Sequence, residues 1–252
     1  MSIPSVYFIG ASKCASTTLY NIFKNHCNEV YCSDKKENRF FIKDYYKGVK
    51  ELAKIYPNPC DKIILDFQPN NCLYSWAAER IGEVCNDPKI ILVIRNPVAR
   101  AYSEICHFKK MRPGRLIGTP DEIIEQNFNT FSDNKFPDEY SYVKQCDPVG
   151  GNYEHTFLEM GCYINHYNRY KQFKMKVIIF EDFVLNHQLV IDDICSFIGI
   201  DKFKVMAIDK SNSKTDNLYF NSSTIMKLNR FYRKYNHDMS ELLGVNLKEW
   251  WK

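Results

Sequence analysis

The sequence predicts an α/β fold in which helices flank a central parallel sheet. Short β-branched and aliphatic runs alternate with segments of helical periodicity, the pattern of parallel strands joined by right-handed crossovers. These runs are apolar nearly throughout, as expected of strands that are covered on both faces. The chain has 252 residues, of which 45% are hydrophobic and 25% charged, an ordinary globular composition. We therefore expect a single domain over residues 1–252.

The elements follow in order along the chain. Strands are predicted at VYFIG, KIILDF, KIILVIR and KVIIF, which are residues 6–10, 62–67, 89–95 and 176–180. Helices are predicted at 16–25, 74–85, 98–110, 121–131, 153–173, 184–198 and 222–243. Gly199 marks the end of the sixth helix. Residues 111–153 contain several proline and glycine interruptions, which is typical of a long binding connection.

The loop after the first strand, GASKCASTT, has the composition of an anion-binding loop. A nucleotide triphosphatase loop has the pattern G-x-x-x-x-G-K-[ST], and its backbone N–H groups cradle phosphates. Aligned from Gly10, that pattern places Ala15 at the second glycine and Ser16 at the lysine, while Lys13 comes three positions early. The loop therefore predicts an anion site for something other than a triphosphate tail.

A second anion element follows the third predicted strand, in RNPVARAYSEICH. Arg95 ends an apolar strand at the edge of the sheet where ligands collect in α/β folds. Ser103 lies three residues after Arg100 and four before His107, so these side chains neighbour each other on one helix. Two anion sites at neighbouring strand ends indicate a ligand with two anionic ends.

Bulk properties limit the other possibilities. The net charge of +4 suits an anionic ligand but is low for a dedicated nucleic-acid domain, so we expect no nucleic-acid partner. The longest aliphatic run, IILVI, is far shorter than the roughly 18 residues of a membrane helix. With no signal-like N-terminus, we expect a soluble, cytoplasmic protein. The ten cysteines show no C-x-x-C pair, which predicts reduced thiols and no zinc site.

Both anion elements resemble those of PAPS-dependent sulfotransferases. SKCASTTL resembles their 5'-phosphosulfate loop, P-K-x-G-T-T-x-L, and RNPVARAYS resembles their 3'-phosphate element, R-x-P-x-x-R-x-x-S. The likeness is greatest to the heparan sulfate and carbohydrate type and its bacterial relatives, through KKENRFF, GCYINHYNRYKQF and LNRFYRKYNHDMSELLG. Three positions depart from the pattern: Ser12 replaces a proline, Ala15 a glycine, and Phe67 the lysine of an E-K-x-P segment.

The resemblance implies a P-loop-like sulfotransferase fold and an enzyme that moves a sulfuryl group from PAPS to a hydroxyl or amine, releasing adenosine 3',5'-bisphosphate (PAP). A saccharide is the first expectation for the acceptor, and no metal is required. By resemblance, Lys13 and His107 would neutralise charge on the leaving phosphate and sulfuryl oxygens, and Arg95 and Ser103 would bind the 3'-phosphate. Lys214 would close over the nucleotide. The residues expected around the 5'-phosphate are Lys13, Cys14, Ala15, Ser16, Thr17 and Thr18.

Several alternatives stay open. Glu37, in the segment that resembles the family's acidic E-x-x-FF motif, is the first candidate for the general base, and His107 and Asp66 are the others. A P-loop small-molecule kinase or phosphotransferase is disfavoured because Ser16 stands where such an enzyme has its lysine. A non-catalytic nucleotide-binding protein is the remaining possibility. The sequence leaves open the acceptor, O- or N-sulfation and the oligomeric state.

Overall fold

The protein is described by a computed structural model that covers residues 2–131, 156–205 and 220–251. Over these residues five parallel strands form one sheet in the order β2-β3-β1-β4-β5. The strands are β1 (Val6–Gly10), β2 (Val30–Cys32), β3 (Ile63–Phe67), β4 (Lys89–Ile94) and β5 (Lys174–Ile179). The predicted α/β fold with a parallel central sheet is confirmed.

The central strand β1 is buried along its whole length. It pairs with β3 on one side, where Val6 is opposite Leu65, and with β4 on the other, where Val6 is opposite Lys89. Strand β4 then pairs with β5 from Lys89 to Ile94 without a break. The loops that follow β1 and β4 therefore leave neighbouring strands at the same edge of the sheet.

The helices of the described residues are α1 (Ser16–His26), α2 (Val49–Ile55), α3 (Ser75–Val84), α4 (Pro97–Met111), α5 (Pro120–Thr130), α6 (Tyr163–Tyr170), α7 (Phe180–Leu185), α8 (His187–Ile198) and α9 (Ser222–Leu243). Shorter helical turns cover Phe40–Asp44, Tyr45–Lys47, Asn71–Leu73, Glu159–Gly161 and Lys248–Trp251. The predicted first, second, third, fourth and last helices are confirmed within two residues at each end. None of the described helices combines the length and apolar character of a membrane span.

Four elements differ from the sequence prediction. Strand β2 and helix α2 were not predicted, because three and seven residues are too few for a clear periodic signal. The predicted helix over 184–198 is two helices, separated at Asn186, whose side chain accepts a hydrogen bond from the N–H of Leu189 and begins α8. Gly199 ends α8 in the left-handed region, as predicted. The helix predicted over 153–173 is interrupted by the turn Glu159–Gly161 and is helical over Tyr163–Tyr170 in the described part of the chain.

Close packing explains that turn. A Cβ atom at Gly161 would lie 2.7 Å from atoms of the Tyr232 ring, so glycine is needed where the turn meets α9. The Tyr232 hydroxyl donates a hydrogen bond to the carbonyl oxygen of Leu158 at 3.0 Å. Contacts of this kind are not visible in hydrophobic periodicity, which is why the sequence predicted an uninterrupted helix.

The structure divides into two compact units. The first, Met1–Ile94 with Tyr167–Ser211, contains the sheet and helices α1 to α3, α7 and α8. The second, Arg95–His166 with Asn212–Lys252, contains α4, α5 and α9. Its core consists of Ala101, Tyr102, Ile105, Ile123, Ile124, Phe157, Leu158, Cys162, Phe220, Leu228 and Tyr232. A single domain over residues 1–252 stays a prediction.

The nine cysteines within the described residues are free thiols. Cys60 is exposed, whereas Cys32 and Cys195 are buried. Burial raises the pKa of both buried thiols to about 12, since a thiolate is poorly solvated inside the protein. The buried thiols thus act as small apolar core groups.

Candidate functional site

The loop after β1 begins at a position that only glycine can occupy. A Cβ atom at Gly10 would lie 2.5 Å from Cys72 Sγ and 2.9 Å from the carbonyl oxygen of Pro69, both in the turn that follows β3. The next residue, Ala11, donates its N–H to the carbonyl oxygen of Val93 at 2.8 Å. The loop is therefore held at its start by the chain on both sides of β1.

Two residues of this loop adopt left-handed backbone. Lys13 has φ 64° and Ala15 has φ 63°, while Cys14 between them is fully buried. Left-handed backbone favours glycine, which accounts for the glycine that the sulfotransferase loop pattern has at the position of Ala15. The buried Cys14 side chain anchors the loop, and Lys13 beside it is partly exposed.

Helix α1 starts without a side-chain cap. Its N-cap residue is Ala15, which has no acceptor atom, and the first bond of the helix runs from the N–H of Leu19 to the carbonyl oxygen of Ala15 at 2.9 Å. The helix also has no acidic residue in its first turn. Ser16, Thr17 and Thr18 form that turn, so their N–H groups belong to a helix end of the kind that binds anions.

A second lysine, which sequence reasoning missed, lies at this helix start. The Lys36 ammonium donates a hydrogen bond to Ser16 Oγ at 3.4 Å and forms an ion pair with the carboxylate of Glu37. Its side chain is only 15% exposed, compared with 43% for Glu37. No local pattern in the sequence links residues 16 and 36.

The segment that carries Glu37 has an unusual backbone. Glu37 has φ 62° and Arg39 has φ 61°, both in the left-handed region. The N–H of Glu37 donates to the carbonyl oxygen of Phe67, the last residue of β3, at 3.1 Å. Phe40 and Phe41, which follow, are buried. The candidate base is therefore on a short, tightly held segment whose carboxylate reaches solvent.

Asn38 ties this segment to the interior. Its Nδ2 donates to Asp66 Oδ1 at 2.7 Å, and its Oδ1 accepts the N–H of Phe40 at 2.8 Å. The Tyr56 hydroxyl donates to the same Asp66 oxygen. Burial raises the pKa of the Asp66 carboxyl above its ordinary value, although the bonds from Tyr56 and Asn38 oppose that shift. Asp66 is 2% exposed, which favours a positioning role for it over a direct role as base.

In the second unit, helix α4 starts with a complete cap. Asn96 Oδ1 accepts the N–H groups of Val98 and Ala99 at 3.0 and 3.1 Å, and Pro97 occupies the first helical position. Proline is favoured there because its missing N–H would be unpaired in any case. The backbone N–H groups at this helix start are thus used by the protein itself.

Arg95, directly before the cap, is held by its backbone. The hydroxyl of Tyr163 donates to the carbonyl oxygen of Arg95 at 2.7 Å and accepts its N–H at 3.4 Å. Tyr163 belongs to the segment GCYINHYNRY, and its role was not predicted from sequence. Further along α4, Ser103 is partly buried and His107 is exposed.

Arg100 is a structural residue of α4. Its guanidinium is fully buried, pairs with the Glu104 carboxylate and donates to the carbonyl oxygen of Phe157. Burial opposes the charge and lowers the pKa of Arg100, but the attraction of Glu104 and nearby hydroxyl groups raises that pKa overall. This arrangement holds α4 against the segment that contains Phe157.

Comparison with known proteins decides the family. Residues 4–242 match the sulfotransferase domain family. The chain belongs to the sulfotransferase family. Over 112 residues this sulfotransferase is 27% identical to mouse heparan sulfate glucosamine 3-O-sulfotransferase 3A1 and 28% identical to the human 3B1 enzyme. Each alignment covers 44% of this chain and 28% of the relative, so the chain matches less than a third of those proteins.

Solved structures support the fold of the sulfotransferase. A sulfotransferase from Alicyclobacillus acidocaldarius has a TM-score of 0.79 and 19% identity, with both chains covered completely. A mouse sulfotransferase solved in complex with PAP has a TM-score of 0.52 and 13% identity, covering 96% of this chain and 88% of that one. At these identities the likeness concerns the fold.

The sulfotransferase therefore has two groups of predicted residues, one in each unit. In the first unit, the turn Ser16 to Thr18 and the Glu37 segment are connected through Lys36. In the second unit, Arg95 directly precedes the cap of α4, and Ser103 and His107 lie along the helix. Lys214 lies outside the described residues. Chemically, the first group offers cations, an uncapped helix start and a carboxylate, and the second offers an arginine and a hydroxyl.

Proposed function

We propose that this sulfotransferase transfers a sulfuryl group from PAPS to a hydroxyl or amine of an acceptor, with a saccharide as the first acceptor class to test. The observation that carries the proposal is the uncapped start of α1, which has Lys13 in the preceding loop and Lys36 at hydrogen-bond distance from Ser16. An uncapped helix start with one ammonium at its first residue and a second lysine in the preceding loop suits a doubly charged phosphosulfate. The names of the partial relatives support a saccharide acceptor.

In the proposed reaction, an acceptor oxygen or nitrogen attacks the sulfur, and the bond from sulfur to the 5'-phosphate oxygen breaks. The bonding electrons go to the phosphate, which leaves as the 5' end of PAP. Lys13 stabilises the negative charge that grows on that oxygen, while the N–H groups of Ser16, Thr17 and Thr18 hold the phosphate. Cys14 and Ala15 complete the loop around it, and no metal ion takes part.

The remaining contacts follow from the same proposal. Arg95 and Ser103 bind the 3'-phosphate, and Lys214 covers the nucleotide. His107 contributes a positive charge or a hydrogen bond near the sulfuryl oxygens. Glu37 accepts the proton that the acceptor loses, because its carboxylate reaches solvent whereas that of Asp66 is buried. We expect the enzyme to work in the cytoplasm without a membrane or nucleic-acid partner.

Binding of PAP tests the donor assignment. PAP at a hundredfold excess over its dissociation constant should stabilise the protein by about 2.7 kcal/mol in a thermal or chemical unfolding assay. The effect should persist in EDTA, and ADP, which lacks a 3'-phosphate, should stabilise less. If ATP with Mg²⁺ stabilised the protein and PAP did not, a phosphotransferase would replace our proposal. A non-catalytic scaffold protein would respond to neither PAP nor ATP.

Transfer of labelled sulfuryl from PAPS to a panel of saccharides, phenols and amines tests the reaction itself. On the active acceptor, Glu37→Gln should reduce turnover by about 100- to 10,000-fold, the usual contribution of a general base. His107→Gln and Asp66→Asn are the matched comparisons. If Glu37→Gln kept most of its turnover while one of these two lost it, the base would be that residue and not Glu37.

A further inference from the structure

Lys36 contacts both the helix start that we assign to the donor and the carboxylate that we assign to the acceptor. Its ammonium lies 3.4 Å from Ser16 Oγ and is ion-paired with Glu37. With the side chain 15% exposed, the ammonium has little freedom to move into solvent. Of these two contacts, the pairing with Glu37 is the closer one, so the candidate base lies beside a cation.

That pairing opposes the role of Glu37. The ammonium donates a hydrogen bond to Glu37 Oε1, so this oxygen is occupied and cannot accept the proton of an acceptor at the same time. A base of this kind becomes effective when the cation is drawn to another anion. The 5'-phosphosulfate of PAPS, with two negative charges, would supply that anion at the first turn of α1.

The position of the Lys36 ammonium and the charges involved both favour its transfer from Glu37 to the phosphosulfate. Lys36 already contacts Ser16, which is the first residue of α1, so an anion held by that turn lies within range of the same ammonium. Ammonium and phosphate form charge-assisted hydrogen bonds, which are about twice as strong as neutral ones. The Glu37 carboxylate is 43% exposed, so water can solvate it after the ammonium leaves. Lys36 keeps its proton throughout, and no bond other than a hydrogen bond changes.

We propose that Lys36 is a donor-binding residue that moves from Glu37 to the 5'-phosphosulfate when PAPS binds, and that this movement frees Glu37 to accept the proton of the acceptor. The proposal rests on the proposed function, of which it is a refinement. It makes PAPS binding a precondition for base catalysis, so that the acceptor is activated only when a sulfuryl group is present to receive it.

Calorimetric titration with PAP tests the first half of the proposal. Lys36→Met keeps most of the side-chain stem and removes the charge, and should weaken PAP binding by about 10- to 100-fold, the range for a hydrogen bond to a charged group. Lys35→Met is the matched control, because Lys35 is the exposed neighbour and its loss changes net charge equally. Lys35→Met should change PAP affinity by less than about threefold, a small nonspecific charge effect.

A double-mutant cycle tests the second half. Glu37→Gln removes the competitor for Lys36, so it should tighten PAP binding about two- to tenfold in the wild-type background. In the Lys36→Met background the same change should have almost no effect, because there is no ammonium to release. Lys36→Gln, with an unchanged circular dichroism spectrum, serves if Lys36→Met folds poorly.

The outcomes separate the two proposals. If wild-type protein binds PAP, and Lys36→Met loses no more affinity than Lys35→Met, Lys36 is a surface ion-pair partner and our inference is wrong while the proposed function stands. Equal effects of Glu37→Gln in both backgrounds would likewise contradict the exchange of partners. If wild-type protein binds no PAP at all, the proposed function itself fails.

Discussion

Helices α1 and α4 follow neighbouring strands of the sheet and yet start in opposite ways. Helix α1 begins after Ala15, which is in the left-handed region and provides no cap. Helix α4 begins after Asn96, whose side chain accepts two backbone N–H groups, with Pro97 at the first position. The first free N–H groups of α4 are already hydrogen-bonded to Asn96, so a ligand at this helix start would be bound by side chains such as those of Arg95 and Ser103. The α1 start has no side-chain cap, as the phosphate site that we propose there requires.

The largest expected effect concerns the buried Arg100–Glu104 ion pair of α4. Arg100→Met should reduce the free energy of unfolding by about 3–5 kcal/mol, because it leaves the buried Glu104 carboxylate and the carbonyl oxygen of Phe157 without their cation. Urea unfolding measures the loss. Lys110→Met, on the exposed side of the same helix, should cost less than about 0.5 kcal/mol. A small loss for Arg100→Met would show that α4 does not depend on this buried pair.

Lys13→Ala should affect chemistry more than binding. Its charge matters most when the leaving oxygen becomes negative, so turnover should fall about 100- to 1,000-fold, as for loss of an oxyanion-stabilising donor. Affinity for PAP should change much less, because the N–H groups of the uncapped helix start remain. Steady-state kinetics with saturating PAPS and a PAP titration distinguish the two. A loss of PAP affinity without loss of turnover would contradict the assignment.

Arg95→Ala should affect PAP binding more than turnover. It removes a charge-assisted contact to a phosphate that is present in ground and transition states alike, so PAP binding should weaken by about 1.5–3 kcal/mol while turnover at saturation persists. Arg115→Ala, at an exposed site that we assign no role, is the control. If Lys13→Ala and Arg95→Ala lost turnover and affinity equally, the two helix starts would not divide the work as we propose.

The smallest expected effects compare the N-cap positions of the two helices, Ala15 and Asn96. Asn96→Ala should destabilise the protein by about 1 kcal/mol through loss of the α4 cap. Ala15→Gly should instead stabilise it by up to about 1 kcal/mol, because glycine adopts φ 63° without strain. Thermal unfolding of both variants gives the sign of each change. A destabilising Ala15→Gly would mean that the loop needs the alanine methyl group for packing.

Much of this fold could be predicted from local sequence. The strands β1, β3 and β4 are apolar nearly throughout, and the glycine after α8 marks the end of that helix, so each feature can be recognised within a few residues. The two candidate anion elements could also be recognised, because each directly follows a predicted strand. These features depend on neighbours in the chain, which periodicity and turn chemistry describe well.

The missed features depend on partners far away in sequence. Lys36 contacts Ser16 across 20 residues, and Tyr163 braces the backbone of Arg95 across 68. The Tyr56 and Asn38 bonds to Asp66 cross 10 and 28 residues. The residues next to a tyrosine or lysine in the sequence do not indicate such a distant partner. The sequence therefore indicated which elements are candidates for binding, but not which distant residues hold those elements in place.

The distribution of thiols has a practical consequence for covalent labelling. Thiolates, not thiols, react with maleimides and alkylating agents, and the pKa of about 12 keeps Cys32 and Cys195 protonated at neutral pH. Cys60 is exposed, so its sulfur is accessible to such reagents. Among the described cysteines, Cys60 should thus take up a fluorescent dye first, giving the native chain a spectroscopic handle without any engineered cysteine.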